Sequence, residues 1–75
     1  MRIKADIRIG ERAWSEILRA ERTTADMARL IGVQRKTLYA WRDGETPNTR
    51  ALARMAHMNF DIYYILTGYR RIEKG

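Results

Sequence analysis

An all-α domain is the fold that the sequence predicts, and three observations predict it. Apolar residues recur at i, i+3, i+4 in one segment after another, a spacing that lines up one face of a helix. Capping or breaking residues stand between the segments: Thr23, Gly32, Gly44, Pro47, Asn48, Asp61 and Gly68. The 75 residues include no cysteine, so there is no disulfide framework, thiolate nucleophile or cysteine-based zinc site. A single small core has to hold the chain.

The first stretch, residues 1–8, is the exception to the helical pattern. Ile3, Ala5, Ile7 and Ile9 alternate with Arg2, Lys4, Asp6 and Arg8, the period of a half-buried strand. A competing reading makes Asp6 an N-cap and starts a helix at Ile7. The arm or short strand is preferred here. A lone strand needs a partner, so Ile3 and Ile7 are candidates for contact with a second subunit.

Residues 10–22 read as the first helix, with Trp14, Ile17 and Leu18 as its stripe and Ala13 beside them. Glu11, Arg12, Ser15, Glu16, Arg19 and Glu21 fall on the solvent side, and Arg12 and Glu16 are spaced for an i, i+4 pair. Trp14 reads as core rather than as a stacking platform. The next stretch is TTADMARLIGVQRKTLYAWRDG. Thr23 or Thr24 caps a helix, Asp26 suits its positive N-terminal end, and Met27, Leu30 and Ile31 form its stripe. Gly32 closes it. After only Val33 and Gln34 a second helix begins, with Leu38 and Trp41 inward and Asp43-Gly44 at its end. So short a turn forces a steep crossing, the helix-turn-helix geometry.

Glu45-Thr46-Pro47 breaks the pattern again, and Asn48 caps a fourth helix whose inner face is Leu52, Met55 and Ala56, with Asn59 a further candidate. Arg50 and Arg54 lie outside. His57 has no second ligand at metal spacing and reads as an ordinary surface histidine. Asp61 caps a last helix over residues 62–67, closed by Gly68. Tyr64 and Ile65 are expected on the core, and Tyr63 and Tyr69 are candidates for a subunit contact. Residues 69–75 form a basic tail expected to fray.

Function is argued from charge and from the second helix of the pair. Lys and Arg number 15 against 9 Asp and Glu, a net charge of +6. That balance favours a polyanion: nucleic acid first, an anionic membrane second, against a basic protein with no such partner. With about 100° per residue, inward Leu38 and Trp41 turn Lys36, Tyr39, Ala40 and Asp43 outward. Gln34 and Arg35 stand at the exposed N-terminal end. Gln suits adenine N6/N7, and Arg or Lys suits guanine O6/N7. Read alone, this face fits a solvated surface equally well. No apolar run nears the ~18–20 residues that span a bilayer, and no signal-peptide core is present, so a cytoplasmic protein is expected. There is no nucleophile–base pair, phosphate-cradling glycine loop or metal cluster. An enzyme, a metal, a cofactor and a small-molecule ligand are therefore not expected.

With these marks in place, the chain resembles the lambda-repressor-like, Cro/CI-type (XRE) helix-turn-helix family. The matching residues are Ile9-Gly10-Glu11-Arg12, Ala28, Gly32-Val33, Leu38, Trp41 and Gly44. Pro47, Leu52, Met55-Ala56 and Ile65-Leu66-Thr67-Gly68 match as well. The resemblance covers residues 9–68 and implies a compact five-helix domain that binds double-stranded operator DNA as a homodimer, as a phage or bacterial repressor. It implies that Gln34, Arg35, Lys36 and Ala40, with Tyr39 adjacent, meet base edges. Thr24, Thr46, Asn48 and Arg50 fall where the family touches phosphate. Three departures stand out. Arg42 replaces the usual Glu, so its pairing is missing or rebuilt with Glu16 or Glu21; the usual Gly-Leu before Thr23 is absent; and the 1–8 arm is not a standard part. The alternatives are an antitoxin that also binds a toxin, and a protein-interaction adaptor without DNA readout.

Overall fold

The computed structural model describes residues 8–70. Along them run α1 (Ile9–Arg19), α2 (Thr24–Ile31), α3 (Arg35–Arg42), α4 (Thr49–His57) and α5 (Ile62–Thr67). The described residues contain no strand. Of the arm expected over residues 1–8 only Arg8 is described, as the exposed turn residue that opens α1; the rest, with Ile3 and Ile7, lies outside the described residues.

Side-chain caps start three of the helices. Thr23 accepts the Asp26 N–H at 3.0 Å, Asn48 accepts that of Ala51 at 2.8 Å, and Asp61 accepts that of Tyr64 at 2.9 Å. Each satisfies a donor that the first turn leaves unpaired and is worth about 1 kcal/mol. α2 stops at Gly32, whose φ of 89° is left-handed. Its N–H and that of Val33 both return to the Ala28 carbonyl, a termination that a side chain would strain.

α1 is shorter than its spacing suggests. After Arg19 the chain turns away, and Glu21 takes a φ of 59°. No glycine or proline marks this stop, so periodicity alone carries the helix too far. α1 is also rotated from the expected setting. Ala13, Glu16 and Ile17 are buried, whereas Leu18 is 58% exposed. A glutamate tolerates that position because two guanidiniums reach it: Arg70 at 2.7 Å and Arg19 at 3.2 Å. Arg70 also bonds Asp61 at 3.0 Å and lies 3.9 Å from the centre of the Tyr64 ring. The Glu16 hydrogen bond, foremost, holds the Arg70 guanidinium even further above its ordinary range. Arg12 reaches the Ile65 carbonyl at 2.9 Å, which ties α1 to α5.

The core comprises Ala13, Ile17, Met27, Ala28, Ile31, Leu38, Trp41, Ala51, Met55 and Ile65. α1 packs on α3 and α5, α2 on α3 and α4, and α4 on α5. Burial of each large apolar side chain contributes about 1.5–3 kcal/mol. Gly10 lets α1 approach the end of α3 backbone to backbone: a Cβ there would run into the Glu45 carbonyl and come within 2.8 Å of that of Trp41. Three further positions differ from expectation. Leu30 lies partly in solvent, and Ala56 and Asn59 are exposed. Asn59 belongs to the turn after α4, at φ 67°, so the fourth helix ends before its pattern does.

Candidate nucleic-acid interface

The surface of interest begins where α2 hands over to α3. Gly32 turns the chain, Val33 is half-buried, and Gln34 opens α3 with φ −80° and ψ 154°. Gln34 occupies the N-cap position, yet its side chain makes no cap hydrogen bond. Its amide therefore stays available for other partners. Arg35 and Lys36 follow, both exposed. Among the described residues, no hydrogen bond or ion pair holds any of these three side chains. Leu38 and Trp41, 0% and 2% exposed, fix the opposite face of α3 in the core. The helix thus presents an amide, a guanidinium and an ammonium from a rigid base. Such donors suit base edges and phosphate oxygens alike.

The second half of α3 behaves differently. Tyr39 and Ala40, expected to point outward, are half-buried. The Tyr39 ring lies 5.6 Å from that of Trp14, tilted by 54°. Its hydroxyl is 3.4 Å from the Thr24 hydroxyl, so two residues singled out for different DNA contacts meet one another. Arg42 covers both rings, 5.1 Å from the Tyr39 centroid and 6.0 Å from that of Trp14. Its ion pair is with Asp43, at 3.1 Å, and not with Glu16 or Glu21. The Asp43 hydrogen bond, reinforced by its charge, raises the Arg42 guanidinium above its ordinary range. The Arg42-Asp43 neighbourhood was visible in the sequence; the Trp14 stack was not, because α1 brings it from 25 positions upstream of Tyr39.

The loop before α4 runs alongside. Thr46 and Asn48 border a shallow cleft with Val33, Thr37 and Trp41, which sets the loop next to the first turns of α3. Asn48 gives its carbonyl oxygen to the α4 cap and keeps its amide nitrogen. Arg50, in the first turn of α4, is exposed and lines a different groove with Ile31, Gly32, Ala53, Arg54 and His57. Tyr63 and Tyr69 are exposed together with Leu66 on the α5 side. The structure therefore gathers Gln34, Arg35, Lys36, Thr46 and Asn48 around the start of α3. Tyr63, on α5, and Tyr69, just after it, belong to another part of the fold.

Among the described residues there is no group of three or more His, Cys, Asp or Glu able to hold a metal. None of their helices is long and apolar enough to cross a membrane. No protein-family model matches this chain, nor does any curated protein or solved structure.

Proposed function

We propose that this protein binds double-stranded DNA in a sequence-specific way, as a lambda-repressor-like helix-turn-helix regulator acting in the cytoplasm. The single observation that carries the reading is the start of α3: three polar or cationic side chains, exposed and without partners among the described residues, on a helix anchored by Leu38 and Trp41. In this reading Gln34, Arg35 and Lys36 enter the major groove and read base edges, with Tyr39 and Ala40 behind them. Thr24, Thr46, Asn48 and Arg50 contact phosphates and set the register. The net charge of +6 supplies the sequence-independent attraction.

One small domain covers little DNA, so the active form is a homodimer on two half-sites about one helical turn apart. The exposed Tyr63, Leu66 and Tyr69 favour such a protein contact. They equally support an antitoxin or adaptor, in which another chain occupies that face. The expected action is repression of phage or bacterial genes.

Selecting bound duplexes from a random pool is the first test, and it should return a palindromic consensus. Replacing Arg35 by Ala should then cost about 1–3 kcal/mol on that site and much less on scrambled duplex. Equal losses on both would remove the base-reading role, and failure of the wild-type protein to bind any duplex would remove the whole reading.

A further inference from the structure

The groove between the end of α2 and the face of α4 is not used by the reading helix. Ile31, Gly32 and Ala53 line it together with Arg50, Arg54 and His57. Spaced i, i+4 and i+7, those three share one face of α4 over a length of about 10 Å. All are exposed, and no hydrogen bond or ion pair among the described residues engages their side chains. Among the described residues no acidic one lines the groove, and α4, TRALARMAH, contains none.

The two like charges Arg50 and Arg54 at i, i+4 oppose one another, and Arg50 sits near the N-terminal end, where the helix dipole disfavours a cation, while Arg54 and His57 stand in the last turn, where it favours basic residues. Several arginines elsewhere are matched, Arg29 with Asp26, Arg42 with Asp43, and Arg70 with Glu16 and Asp61. Among the described residues an open arginine is thus a feature shared with Arg35 of the reading helix rather than with the ion-paired clusters. Two arginines and an imidazole in a row, without an acidic partner among the described residues, offer their donors to an anion from outside, and the length of the row suits an extended polyanion better than a single small ion. On one strand of a duplex, charges recur about every 3.4 Å along the axis.

We infer that Arg54 and His57, with Arg50, form a second phosphate-binding track that grips the DNA backbone beyond the half-site read by α3. Continuity selects DNA over an acidic protein segment. Gly32 lies two residues before Gln34, and Arg50 belongs both to this groove and to the phosphate contacts proposed above. The inference rests on the DNA-binding reading and extends its footprint. The track carries no sequence information; it adds affinity and salt dependence.

The test is the salt dependence of duplex binding for wild type, Arg54→Gln, Arg54→Lys and His57→Gln, between about 50 and 200 mM salt. Arg54→Gln should reduce the log–log slope by about 0.9, as for one lost phosphate contact, with equal weakening on selected and scrambled duplex. Arg54→Lys should restore the slope, and His57→Gln should weaken both duplexes by a common factor. Circular dichroism on each variant confirms that the helices persist. If wild type binds DNA but Arg54→Gln keeps its slope, the track is refuted while the reading by α3 survives. A selective loss on the selected duplex also overturns it, since that makes Arg54 a base reader. So does Arg54→Gln abolishing binding of polyglutamate while leaving DNA binding intact, which assigns the groove to an acidic protein. If wild type binds no duplex, both inferences fall.

Discussion

Two clusters of charge on this small domain are built on opposite principles. Around Glu16 the charges are closed on themselves: Arg19 and Arg70 converge on one buried carboxylate, Asp61 takes the second edge of Arg70, and Tyr64 supports it. At the start of α3, Gln34, Arg35 and Lys36 converge on nothing within the described residues. The first arrangement spends its charge holding α1, α5 and the chain after α5 together. The second holds its charge on a firm support and leaves it open. A free cation is therefore informative here, because the same molecule shows what a structural one looks like.

The contrast can be broken at its closed end first. Glu16→Ala removes the shared acceptor of two guanidiniums and should cost about 1.5–3 kcal/mol in denaturant-derived stability, as for a hydrogen bond to a charged group. A change below about 0.5 kcal/mol would make this cluster as dispensable as an ordinary surface pair. Asp61→Ala comes next. It removes the α5 cap and one Arg70 contact, and a loss of about 1 kcal/mol is expected in the same titration. At the open end, Arg35→Ala should leave stability within about 0.5 kcal/mol of wild type. A larger destabilisation would mean that Arg35 supports the fold.

Local signals in the sequence carried most of this architecture. Asn48, Asp61 and Thr23 start helices because their side chains satisfy the next turn's N–H groups, and Gly32 stops one because it enters the left-handed region. Leu38, Trp41, Met55 and Ile65 are buried where helical spacing puts them. What escaped depends on distant partners. Nothing near Glu16 announces that Arg70, 54 positions away, arrives to make its burial tolerable. Tyr39 projects outward on an isolated α3, and only the packing of α1 sets Trp14 against it. The early end of α1 had no residue to mark it, since Glu21 adopts a positive φ that its side chain does not favour. The exposed start of α3 was legible because it rests on a short turn and two anchors within the same helix.

The two indoles of the chain sit in unlike places. Trp41 is sealed at the centre, whereas Trp14 lies at the rim, half-buried beside Tyr39 and beneath Arg42. Emission from the one tracks unfolding, and emission from the other tracks whatever approaches the outer side of α3. Exchanging Trp14 for Phe separates the two signals, so the native protein already contains a fluorimeter's readout for occupancy and another for integrity.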